Sequence, residues 1–262
     1  MVSPINLALH QMSWFQLDPK SIAERSRSSN SAADVPSLKT SLRRGILGFT
    51  IVSVAGFAPW VLAGEWLHRA LGEAGLSAVC AVVFIGASGW LLHPLIIGPG
   101  SLSRFYKLFA VAFAAYSVAW ILGYMALRGR LGSLVGLLAG TAAMGWSLAR
   151  AFDATGSTAK IIAVLFFLNS LGYFAGGWVE GTVVGLKDPC LFGLVFEKPV
   201  RTTIAMLLSG ICFGVGLGAG LGLAFYHCQT AARVLLTAHS PTNEMLQSNV
   251  KLTETPPGPK SL

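Results

Sequence analysis

Six apolar runs occupy the middle of the chain, at 45–66, 76–97, 106–127, 131–149, 161–179 and 203–226. A helix needs roughly 20 residues to cross the hydrocarbon core of a bilayer, and each run is about that long. Backbone groups surrounded by lipid must hydrogen-bond within their own segment, so the runs are predicted to be helices. The expected fold is an all-α membrane protein, a bundle of six transmembrane helices with flexible N- and C-terminal tails. The predicted organisation is a polar cytoplasmic tail over 1–43, a six-helix domain over 44–227 and a cytoplasmic tail over 228–262. Within the first tail, the stretch 5–17 carries Trp14 and Phe15 and is a candidate interfacial helix. The rest, up to residue 40, is polar and Ser-rich and reads as flexible. Residues 229–239 are compatible with a continuation of the last helix, and the Pro-rich end from Ser240 reads as disordered.

Most connections are short, so neighbouring helices are expected to be antiparallel. The exception is 180–202. It holds Lys187, Asp188, Glu197, Lys198 and Arg201 around an apolar stretch at 190–196. That stretch is too short to span and is a candidate to dip into the interface or cap the bundle.

Composition supports the membrane reading. Charged residues make up 11% of the chain and hydrophobic ones 53%, with a mean hydropathy of +0.64. A soluble domain carries about a quarter charged residues, so this chain could not coat a globule with them. The net charge of +8 does not form a nucleic-acid stripe, because the basic residues cluster at the ends of apolar runs. Of 19 Lys and Arg, only Arg69, Arg128, Arg130, Lys187, Lys198 and Arg201 fall on the side opposite the tails. The positive-inside rule then places both termini in the cytoplasm, in a bacterial inner or plasma membrane. The four cysteines lack CxxC spacing, which argues against a zinc site or a disulfide framework.

Runs one, three and five begin alike. Each has a basic residue, a Phe six positions on and a Ser four further: Arg43/Phe49/Ser53, Lys107/Phe113/Ser117 and Lys160/Phe166/Ser170. Pro59, Gly123 and Gly176 follow six positions after each Ser. The pattern suggests three helical hairpins, and internal repeats are common in transporter folds. The layout matches three-hairpin carriers of the mitochondrial type, but their Pro-x-acidic-x-x-basic signature is missing.

Candidate chemistry is sparse. Gly86-Ala-Ser88-Gly89 resembles the G-x-S-G of rhomboid proteases, which also have six membrane helices. By that resemblance Ser88 would be the nucleophile. The motif falls on the second span rather than the fourth, and the late His lies at the end of the last span, as His227. It therefore reads as a small-residue packing patch. Gly214-Val-Gly216-Leu-Gly218-Ala219 has the letters of a dinucleotide loop but lies inside a span, where that motif's strand and helix cannot form. His93 and His227 stand near one membrane boundary, and Glu65 and Glu180 near the other. No metal, haem or other cofactor is expected from them.

Gly210, Gly214, Gly218 and Gly222 are spaced by four, which sets them on one helix face for close packing. That face could join helices of this chain, or dock a second copy or a membrane partner. Asn169 is the most unusual residue, because an amide at depth requires a hydrogen-bond partner. With Ser170, and with Ser53 and Ser117 at matching repeat positions, it forms the expected substrate-binding set. The sequence thus points to a non-enzymatic membrane protein that passes or binds a small solute in its bundle. A structural or assembly subunit is the alternative, and a membrane-embedded enzyme stands behind both.

Overall fold

A computed structural model describes residues 15–28, 35–186, 190–191, 194–195 and 197–238. The helices are α1 (Pro19–Ser28), α2 (Leu38–Leu92), α3 (Ser101–Leu127), α4 (Gly129–Ala151), α5 (Thr158–Gly185), α6 (Lys198–Cys228) and α7 (Thr230–Ala238). Six helical segments are long and apolar enough to cross a membrane. The chain is a multi-pass membrane protein with an all-α six-helix bundle. The face that carries both ends of the bundle is called the terminal face here, and the opposite one the distal face.

The first two spans, Leu38–Glu73 and Ala78–Leu95, are the arms of α2. The sequence predicts a loop between them, but the backbone stays helical almost throughout. Gly72 alone reverses it, at φ 70° and ψ −179°. The arms pack against each other, as the 5.7 Å separation of the Phe49 and Phe84 rings shows. Only glycine adopts that conformation readily, and a side chain there costs roughly 1–3 kcal/mol. A Cβ at Gly72 would meet no atom within 4 Å, so strain would be its whole effect. Gly72→Ala is expected to destabilise the protein by about that amount, read as a lower thermal unfolding midpoint in detergent.

Glycine sets the order of helices around the bundle. A Cβ on Gly218 would lie 2.5 Å from the Gly45 carbonyl oxygen, and one on Gly214 would lie 2.6 Å from the Thr50 Cα. The predicted face with spacing of four is therefore the seam between α6 and the first arm of α2. The neighbouring face of α6 closes on α5, where a Cβ on Gly216 would lie 2.5 Å from the Leu168 carbonyl oxygen. Both glycine faces are filled within the chain. Gly123 meets Gly136 across α3 and α4, and Gly176 meets Ser209 across α5 and α6. These repeat-matched glycines do the same work in the second and third hairpins. In the first hairpin Gly56, against Phe84, has that role, rather than Pro59.

A helix stands in the N-terminal segment expected to be flexible, and Thr230–Ala238 forms the helix expected after the last span. Pro19–Ser28 is a helix that buries Ile22, Ala23 and Ser26. It lies against α7, and Arg27 donates to the Leu235 carbonyl at 3.2 Å. Three small or apolar positions at helical spacing suffice for a docked helix, although they are too few to stand out in a polar segment. Gln229 ties this layer to the bundle. It accepts from the Ile97 amide and donates to the Leu95 carbonyl, both at 2.8 Å. Most of the interfacial-helix candidate at 5–17, and the tail from 239 on, lie outside the described residues. Of the apolar stretch at 190–196, the backbone pairs Cys190 with Val195 and Leu191 with Leu194 in a two-residue antiparallel ladder. Its predicted place at the interface lies outside the described side chains. The flanking helices take up 180–185 and 198–202 of the long loop, and Pro199 stands in the first turn of α6, where its missing N–H costs nothing.

Candidate functional site

Six aromatic residues run along one face of α3: Phe105, Phe109, Phe113, Tyr116, Trp120 and Tyr124. Steps of three and four keep them on a single stripe. The stripe does two different things in the two halves of the bundle.

In the terminal half it is a dry plug. Phe105, Phe109, Phe113 and Tyr116 follow one another with ring centroids 5.1, 5.3 and 5.8 Å apart. Phe84 of the second arm of α2 packs tilted against Phe113 at 4.8 Å, and Phe225 of α6 lies 5.9 Å from Phe105. Phe49, Phe105 and Phe225 are at most 1% exposed. Rings at these distances leave no room for water between them.

In the distal half the stripe becomes the wall of a cavity of about 1020 Å³. Tyr116, Gly210 and Phe213 lie at its deep end, and Gly129, Arg130 and Glu180 at its distal end. From Tyr116 to Tyr124 is eight residues of helix, a depth of roughly 12 Å at the helical rise. Trp120 and Tyr124 stack 5.4 Å apart, with Tyr173 of α5 set across Trp120 at 6.4 Å and 61°. Ser133 of α4 lies 3.3 Å from the Tyr173 hydroxyl, within hydrogen-bond reach. The space stays open because small residues face the rings. A Cβ at Gly177, on α5, would meet no atom within 4 Å.

The floor is polar. Asn169 is fully buried and donates from Nδ2 to the Tyr116 hydroxyl at 3.0 Å. Its Oδ1 is buried with no protein partner, and so is the Ser170 hydroxyl. Ser53, 1% exposed, donates to the Gly210 carbonyl at 2.8 Å. Of the predicted set, Asn169 and Ser53 therefore reach the cavity through a neighbour, since Tyr116 and Gly210 line it and they do not. Ser117 and Ser170 are half-buried and do not line it either. The structure does not join Asn169 to Ser53 or Ser117 by a hydrogen bond. Among the lining residues that sequence reasoning missed are Tyr116, Trp120 and Tyr124, whose signal was the stripe on α3.

The other candidates are apart from this site, except Glu180 at its rim. Ser88 is fully buried and donates to the Phe84 carbonyl one turn back, at 2.7 Å. Tyr106 packs onto Gly89 and donates to the Gly86 carbonyl at 2.8 Å, so this segment is a helix contact. His93 Nδ1 lies 2.9 Å from the Ser101 hydroxyl. The His227 ring lies edge-on to Tyr226 at 5.6 Å. Glu65 pairs with Arg69 at 3.0 Å on the distal face. Among the described residues no group of three or more His, Cys, Asp or Glu side chains could hold a metal. Comparison of the chain with protein-family models, with curated proteins and with solved structures found no match.

Proposed function

We propose that this protein binds a small solute in the distal cavity and serves its passage across the membrane. One observation carries the reading: a cavity of about 1020 Å³ that ends at mid-bundle on a polar floor, above a sealed aromatic plug. A purely structural bundle gains nothing from such a void, because unfilled space forfeits packing energy. With both termini in the cytoplasm, as the basic residues favour, the cavity faces outward. Of the expected binding set, Asn169 and Ser53 bear on the solute through Tyr116 and Gly210, which line the cavity. Asn169 acts there by fixing Tyr116. Passage requires the Asn169–Tyr116 bond and the Phe113–Phe84 contact to part together. A closed plug below an open cavity fits alternating access better than a continuous pore. Docking of another protein on α6 would use the face that carries Ile211 and Val215, because the glycine faces are occupied.

The test is a thermal-shift screen of small solutes on the full chain in detergent, run beside Gly177→Trp. Gly177 lines the cavity, and a Cβ there meets no atom within 4 Å, so the new ring has open space to enter. Solutes that stabilise the parent by several degrees and leave Gly177→Trp unmoved support the proposal. If every stabilising solute acts equally on both proteins, the cavity is not the site.

A further inference from the structure

The rim of the cavity carries one charge of each sign. Arg130 at the start of α4 and Glu180 near the end of α5 both line it. They do not pair with each other, and neither has another ion-pair partner among the described residues. Between them and the floor stand Trp120, Tyr124 and Tyr173. The Trp120 and Tyr173 rings meet at 61° and form two walls of a corner. Aromatic faces attract a cation held within about 6 Å of the ring centroid. A carboxylate at the rim strengthens that preference, and a guanidinium on the same rim supplies two parallel donors for an anionic group. Phe57, Phe174 and Phe213 give the lining an apolar part beside these rings.

We infer that the solute is an amphipathic zwitterion: an apolar body bearing one cationic and one anionic group. This rests on the cavity being the solute site. The cationic group lies in the Trp120–Tyr173 corner below Glu180 at the rim, the anionic group on Arg130, and the body among the Phe side chains. A solute with a single charge leaves Arg130 or Glu180 without its counterpart and forfeits one charged hydrogen bond. Two sources supply this chemistry. One is a water-soluble zwitterion such as an aromatic amino acid, and the other is a lipid with a zwitterionic headgroup.

Calorimetric titration of the full chain in nanodiscs of anionic lipid separates the alternatives. The soluble probes are L-phenylalanine, phenethylamine and 3-phenylpropionate, which share a phenyl body and differ in charge. Dodecylphosphocholine below its micellar concentration stands for the lipid source, with dodecyltrimethylammonium and dodecyl sulfate as its single-charge counterparts. The zwitterion of at least one series is expected to bind about tenfold tighter than both its single-charge counterparts. Glu180→Gln should remove its advantage over the anion, Arg130→Gln its advantage over the cation, and Gly177→Trp all binding. The series that behaves so identifies the source. If a single-charge probe binds as well as the zwitterion in both series, and Gly177→Trp still abolishes binding, the zwitterion class is wrong and the cavity reading stands. If no probe shows binding sensitive to Gly177→Trp, both are overturned.

Discussion

Gly218→Leu is expected to cost the bundle roughly 3 kcal/mol or more, at the upper end of what overpacking does to a well-packed interior. The expectation comes from what the new side chain meets. Its Cβ would lie 2.5 Å from the Gly45 carbonyl oxygen and 3.0 Å from the carbon of the same carbonyl. Those are backbone atoms of the first arm of α2 and cannot rotate aside. The arm and α6 must separate, and the seam along Gly214 and Gly222 opens with them. Gly177→Leu is the matched control. It adds the same atoms to another glycine of the bundle, at a position where a Cβ has no neighbour within 4 Å. Thermal unfolding midpoints in one detergent should fall sharply for Gly218→Leu and hardly move for Gly177→Leu. Similar losses for both would show that the glycine seam does not hold the bundle together.

Asn169→Leu should separate binding from stability. The substitution keeps approximate volume and removes the partner of the Tyr116 hydroxyl, which is buried. Hydrogen bonds between membrane helices contribute about 1 kcal/mol, so the loss of stability should be modest. Solute binding should fall by about tenfold or more, because Tyr116 is the floor of the cavity and no longer has a fixed position. Tyr116→Phe removes the other half of the pair and leaves the Asn169 amide wholly unpaired. The double variant, with both polar groups gone, should recover part of the stability lost by Tyr116→Phe, since an orphaned buried group costs more than an absent one. Its binding should stay weak. A cycle of unfolding midpoints and titrations with a solute found by the screen reads both quantities. Unimpaired binding by Asn169→Leu would remove that residue from the site.

The six spans were legible because lipid imposes a simple rule, about 20 apolar residues without charge. The spacing of Gly210, Gly214, Gly218 and Gly222 was legible because a period of four fixes a face. Its partner was not, because nothing along α6 says whether the facing helix belongs to the same chain. Gly45 and Thr50 supply that answer only in three dimensions. Asn169 stood out through its desolvation cost, yet its partner is Tyr116 and not the neighbouring Ser117. Adjacent helical residues point about 100° apart, so a pattern that matched serines selected the wrong face of α3. The aromatic stripe from Phe105 to Tyr124 was present in the letters. Inside an apolar run, however, Phe and Leu weigh alike in hydropathy, and the stripe is hidden unless rings are counted separately. The cavity itself has no sequence signature. It arises where Gly177 and Gly210 leave space beside rings on other helices, and such coincidences depend on register between helices.

The central claim is that the distal half of the bundle is open to water while the terminal half is sealed. It is tested most directly by cysteine accessibility, in a chain whose four native cysteines are replaced by alanine. Gly177→Cys places a thiol in the cavity, and Ala112→Cys places one in the plug, where Ala112 is 1% exposed. A membrane-impermeant maleimide is added to right-side-out and inside-out vesicles. The account expects Gly177→Cys to react quickly in right-side-out vesicles and slowly in inside-out ones, and Ala112→Cys to resist in both. Fast labelling of Ala112→Cys from either side, or no labelling of Gly177→Cys from the outside, would contradict it.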